Sequence, residues 1–269
     1  MLKERVLTAL ILLPLVLWCV FGGVAAAFPL LAAAVVLVAA WEWTALMRWP
    51  GLPARALYVA LVAALLWLLQ GRGLDAGLGP LVIAASMFWL LALLWVRRYP
   101  EGAADWDRSA LLAVTGLLLL VPTWAGLVQL HQQSPWWLIY VLLLVWGADT
   151  GAYFAGRAFG RSKLAPAVSP AKTREGLYGG LLLTLLIMVA VALSQSFSGL
   201  HAVLFGVVSL VTVLASVLGD LFESMVKRRA GIKDSGNIFP GHGGALDRID
   251  SITAAAPVFL AGWWLTGGF

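Results

Sequence analysis

The chain carries 18 Lys and Arg and 13 Asp and Glu in 269 residues, and ten of these charges fall in the 31 positions from Asp220 to Asp250. Apolar sequence lies on both sides. Asp220, Glu223, Ser224 and Lys227 recur at i, i+3, i+4 and i+7, which places them on one face of a helix. Lys227-Arg228-Arg229 and Lys233-Asp234 follow, then Pro240-Gly241-His242-Gly243-Gly244, then Asp247, Arg248 and Asp250. Carboxylates at the edge of an apolar run point to a polar reaction or ion site. A hard cation such as Mg²⁺ takes carboxylate oxygens together with substrate phosphate oxygens. Asp220 and Asp247 are the expected metal pair, with Asp250 as a further ligand candidate. Lys227, Arg228, Lys233 and Arg248 suit a polyphosphate through charge-assisted hydrogen bonds. Asp234 and Ser224 belong to the same polar set. His242 is a donor to phosphate or a metal ligand, and Gly243 and Gly244 let backbone amides approach an anion closely. The plainer alternative is a charged flank of a membrane span, with Asp247 or Asp250 as a helix cap.

A second constellation lies upstream. Asp149-Thr150 sit late in an apolar run, with Tyr153 and Gly156 on roughly the same face. Ser169, Lys172, Thr173 and Glu175 follow in a polar segment ending at Gly176. An acid inside a span needs a partner or a water-filled cavity. Asp149, Ser169, Lys172, Thr173 and Glu175, with Ser224, Gly243 and Gly244, are therefore expected to bind substrate. The alternative is an ordinary loop in which Thr173 caps a helix. Glu42, in Trp41-Glu42-Trp43, sits near the end of a span, where it can snorkel to the interface. It is given no role.

These groups need a frame. The chain is 62% hydrophobic and 12% charged, with a mean hydropathy of +0.93. A soluble domain would carry about a quarter charged residues, so lipid is the expected solvent. Nine apolar runs read as spans: Val6 to Val24, Phe28 to Met47, Ala56 to Leu69, Leu78 to Val96, Ala110 to Leu130, Trp136 to Phe154, Leu177 to Ser196, Ala202 to Phe222 and Ser251 to Thr266. With the N-terminus in the cytoplasm, every Lys and Arg except Arg72 falls on the cytoplasmic side, 17 of the 18. That asymmetry is what the positive-inside rule requires. The first run, behind Lys3 and Arg5, imitates a secretory leader but is read as the first span. The expected fold is thus all-α: a polytopic integral membrane protein of about nine helices. It is one domain over 1–269, with N-terminal helices over 1–130 and a catalytic half over 136–269. Both polar segments then face the cytoplasm. The net charge of +5 is spread between apolar runs, which argues against nucleic acid and for anionic lipid contact. The one cysteine, Cys19, excludes an internal disulfide and a thiolate metal cluster.

The run from Ser224 to Asp250 resembles the signature of the phosphatidate cytidylyltransferases, or CDP-diacylglycerol synthases. The matching positions are Ser224, Val226, Lys227-Arg228, Lys233-Asp234, Gly236, Phe239, Pro240, His242-Gly243-Gly244, Asp247-Arg248, Ile249 and Asp250, while Ala245 is smaller than the usual residue there. Asp149-Thr150 and the Ser169 to Gly176 segment are similar to the family's other polar motifs. The resemblance implies CTP and phosphatidic acid as substrates, with CDP-diacylglycerol and pyrophosphate as products. It further implies an Mg²⁺-dependent site, K⁺ as a second cation, metal ligation at Asp220 and Asp247, a homodimer, and the cell inner membrane. Two rivals come from other classes of activity: a CTP-dependent lipid-alcohol kinase and a cation transporter. The transporter would be expected to show repeated halves, and no repeat is visible.

Overall fold

Eleven regular segments follow a short helical and π-helical stretch ending at Trp18–Gly22 in this computed structural model, which describes residues 14–49, 51–72, 78–238 and 243–269. They are α1 (Ala27–Leu46), α2 (Leu52–Arg72), α3 (Leu78–Arg98), the single turn α4 (Ala103–Trp106), α5 (Ser109–Gln133) and α6 (Pro135–Phe159). A hairpin of β1 (Lys163–Ala165) and β2 (Ser169–Thr173) comes next, followed by α7 (Arg174–Ser194), α8 (Gly199–Ala230) and α9 (Leu246–Leu265). The molecule is an all-α, multi-pass membrane protein carrying this one small hairpin among the described residues.

Among the described residues seven helices, α1–α3 and α5–α8, are long and apolar enough to cross a membrane. The first expected span, Val6 to Val24, lies partly outside the described residues. The ninth falls within α9, which is long enough but less apolar. Its stretch from Ser251 to Pro257 is buried throughout, and much of it is small: Ser251, Thr253 and Ala254 to Ala256. A helix enclosed by other helices packs through small residues, whereas a lipid-facing one is coated with large apolar side chains. α9 packs on α8, α5, α3 and α6, and α5 in turn packs on α1, which makes α5 and α9 the centre of the bundle.

Two close approaches set the geometry of the polar end. Gly151 of α6 lies against the backbone of Gly179 and Gly180 in α7, and Gly180 lies against the Ala148 carbonyl, so a side chain at either glycine would strike main chain. Small residues at this spacing let two membrane helices touch backbone to backbone. Gly219 lies against the carbonyl of Asp250 and brings α8 onto the first turn of α9. The expected eighth span ends at Phe222, yet α8 continues to Ala230. It stops at Gly231, whose φ of 75° lets its N–H reach the Arg228 carbonyl while the Ile232 N–H reaches that of Lys227.

Candidate functional site

The expected loop before α7 is instead the β1–β2 hairpin, paired Lys163 to Thr173 and Ala165 to Ser169. Glu175 closes its base by accepting from the backbone N–H groups of Arg161 and Ser162 at 3.1 Å. Thr173 caps α7 by accepting from the Gly176 N–H, also at 3.1 Å. These contacts make Glu175 and Thr173 supports of the hairpin. The hairpin carries Lys172 across to α8, where it pairs with Asp220. The second oxygen of Asp220 accepts from Ser224 Oγ at 3.3 Å.

This pair borders a cavity of about 410 Å³ between α6, α7, α8 and the hairpin. Asp149, Tyr153, Arg157, Lys172, Thr173 and Asp220 line its polar side. The Arg157 guanidinium donates to the Tyr153 hydroxyl at 3.1 Å. Ser169 is not among the lining residues. A larger cavity of about 770 Å³ adjoins it, and Leu164, Leu177 and Val217 line both. The walls of the larger one are almost wholly apolar, from Met87, Leu90 and Leu93 of α3 to Leu214, Leu218 and Leu221 of α8.

A buried cluster lies one helical turn further along α8. Lys227 Nζ donates to Glu223 Oε2 at 2.8 Å and to Asp247 Oδ1 at 2.5 Å. All three side chains are less than 10% exposed. The i, i+4 spacing of Glu223 and Lys227 is realised as an ion pair on one helix face. Asp247 also accepts from the backbone N–H of Ser235 at 2.9 Å and of Gly244 at 2.8 Å. Gly243 stands at φ 80°, in the left-handed region, and a Cβ there would meet the Asp247 carboxyl.

Asp220 and Asp247, expected as a metal pair, therefore stand in separate pairings, one with Lys172 and the other with Lys227. Asp250 lies between the two groups, within electrostatic reach of Asp220 and Glu223. Arg228 turns back to the Val168 carbonyl on the hairpin, at 3.3 Å. Lys233, Asp234 and Arg248 are exposed, and none of them pairs with the cluster among the described residues. His242 lies outside the described residues.

Whether these acids suit a divalent cation is a question of spare acceptor capacity. Five carboxyl groups, of Asp149, Asp220, Glu223, Asp247 and Asp250, face the ammonium groups of Lys172 and Lys227. Among the described residues, Glu223 Oε1 is buried with no hydrogen-bond partner. A carboxylate offers about four lone-pair positions, and Asp220 uses two. Among the described residues no three Asp, Glu, His or Cys side chains enclose a cation by themselves. A hard cation held by one or two carboxylates and completed by substrate phosphates is compatible with this donor set.

Glu42 corrects the sequence reading. It does not snorkel: it is 5% exposed and accepts from Ser235 Oγ and from the backbone N–H groups of Ala245 and Leu246. The only sequence signal for it was an acid inside an apolar run.

A family model described as the cytidylyltransferase family matches residues 3–265. A phosphatidate cytidylyltransferase of Pseudomonas aeruginosa strain PAO1 is 47% identical, covering 99% of this chain and 98% of that protein. One from Haemophilus influenzae strain Rd is 43% identical, covering 96% and 97%. One from Staphylococcus aureus strain COL is 46% identical over 48% of this chain and 50% of its own length.

Proposed function

The chain belongs to the cytidylyltransferase family, and we propose that it transfers the cytidylyl group of CTP to phosphatidate, giving CDP-diacylglycerol and pyrophosphate. The observation that carries this reading is the junction of the two cavities. A polar chamber holding Asp149, Lys172 and Asp220 shares a wall with an apolar one between α3 and α8. Such a pair suits a substrate with an anionic head and acyl tails.

A phosphate oxygen of phosphatidate attacks the α-phosphorus of CTP. The new P–O bond forms as the bond to the bridging oxygen of the β-phosphate breaks, and pyrophosphate carries away the electron pair. The attacking phosphate is already an anion, so catalysis lies in positioning and in neutralising phosphate charge. Lys172 and Arg157 line the chamber and are assigned to the lipid phosphate. Lys227, Arg228, Lys233 and Arg248 are assigned to the triphosphate and departing pyrophosphate, with His242, Gly243 and Gly244 as further donors. Asp220 and Asp247, with Asp250, would hold Mg²⁺, and K⁺ is retained as a second cation on the family resemblance. When bound, the metal supplies charge neutralisation and alignment of the nucleotide phosphates.

The finer architecture belongs to the same proposal. Nine spans with a cytoplasmic N-terminus, in the cell inner membrane, put the site where CTP can reach it. Support comes from the position of 17 of the 18 Lys and Arg on that side. A homodimer is carried by the resemblance alone.

The test is an assay of the detergent-solubilised chain with CTP, Mg²⁺ and phosphatidate, with and without chelator. The expected products are pyrophosphate and a lipid that retains CMP, with activity lost on chelation. Release of CDP with transfer of phosphate to a lipid alcohol would overturn the reading in favour of a lipid kinase.

A further inference from the structure

Two carboxylates brace the same two flanks of chain around residues 236–243. Asp247 takes the backbone N–H of Ser235 on one flank and of Gly244 on the other. Glu42, on α1, takes Ser235 Oγ at 3.2 Å on the first flank. On the second it takes the N–H groups of Ala245 at 3.1 Å and Leu246 at 2.8 Å. The chain is shaped around this acid: a Cβ at Gly236 or Gly244 would run into the Glu42 carboxyl.

The two braces differ in surroundings. Asp247 shares Lys227 with Glu223 and stands with the acids of the polar end. Glu42 lines neither of the two cavities. With Lys227 and two backbone donors, one of them reaching both its oxygens, Asp247 has little acceptor capacity left. It can take a new ligand only by giving up a donor, and the flanks must then be held by something else.

Resting on the proposed cytidylyl transfer, we propose that Glu42 is a positioning residue: it holds the Ser235 and Ala245–Leu246 flanks together, so that Asp247 can exchange its backbone donors for a substrate-side ligand without the flanks parting. Glu42 acts through Asp247 and touches no substrate.

The test uses the purified full chain and the variant Glu42→Gln, whose amide cannot accept on both sides as a carboxylate does. Trypsin cleavage after the exposed Lys233, followed by mass spectrometry, reads the flanks directly. Loss of charge-assisted bonds is expected to speed that cleavage roughly tenfold. The KM for CTP should rise while kcat at saturating CTP stays near the parent value, because bound nucleotide draws the flanks back. Parental cleavage and parental KM in folded Glu42→Gln would overturn the proposal. So would a fall in kcat that follows the loss of folded protein with KM unchanged. If Glu42→Gln does not fold, Ser235→Ala removes one of the described donors and carries the same two readouts at smaller size. An inactive parent chain would defeat the reaction proposed above, while the cleavage comparison would still judge Glu42.

Discussion

Asp220 accepts from Lys172 with one oxygen and from Ser224 with the other, and half of its acceptor capacity remains for a ligand. Asp220→Asn keeps the size and removes the charge. Turnover of CTP with phosphatidate should fall on the order of 100-fold or more in folded protein. Near-parental turnover would sink its assignment to the metal. Lys227 presents the opposite case, a cation between two buried acids. Lys227→Met leaves Glu223 and Asp247 uncompensated, and a loss of about 3–5 kcal/mol is expected from removing one partner of a buried pair. A thermal melt in detergent checks it: a Tm within a degree or two of the parent would show that the acids do not depend on Lys227. At this scale the sequence was legible where chemistry is periodic. The i, i+4 spacing of Glu223 and Lys227 put them on one helix face, where the structure pairs them, whereas nothing local linked Glu42 to residues about two hundred positions away.

The elements meet through contacts that a pattern of apolar runs does not specify. The α6–α7 seam rests on Gly151, Gly179 and Gly180. Gly151→Val would force main chain apart at the wall of the polar cavity. We expect a cost of about 1–3 kcal/mol from overpacking, seen as a lower Tm. Asp107, in the turn after α4, joins the ends of two helices, pairing with Arg48 after α1 and with Arg229 in α8. Burial of Asp107 pushes its carboxyl up, but the two guanidiniums outweigh it and hold it below the usual aspartate range. A depressed folded value means that the stabilisation is present above the ordinary aspartate pKa and is lost as pH falls through the folded value. Both arginines are about half exposed, so screening limits the gain to roughly 1 kcal/mol. Asp107→Asn should therefore melt lower than the parent at neutral pH, with the gap closing in acid. A gap independent of pH would refute the role of the charge. The hairpin is the element least legible in the sequence. Five residues with Pro170 inside carry too little pattern to mark a strand, and its base is held by Glu175 from the next helix.

Across the whole molecule, charge and hydropathy set the orientation. The proposed topology puts Lys163 in the cytoplasm and Gln195 outside. With Cys19→Ser as background, Lys163→Cys should react with an impermeant maleimide only from the cytoplasmic side, and Gln195→Cys only from the other. The reverse labelling would refute the orientation.

Composition and apolar run length by themselves determined that this chain needs a membrane and is helical, because a hydrocarbon solvent forces backbone hydrogen bonds to be met within each span. The residues from Ser224 to Asp250 identified the family for the same kind of reason: phosphate and metal chemistry demand particular side chains at close spacing. Tertiary structure alone decided which acid meets which cation. It placed Lys172 on Asp220 and Lys227 between Glu223 and Asp247. It enclosed α9 among the other helices at the centre of the bundle, and set Glu42 under the flanks of the signature segment. These pairings depend on how helices distant in sequence approach one another, which is settled by glycine contacts and side-chain packing between elements.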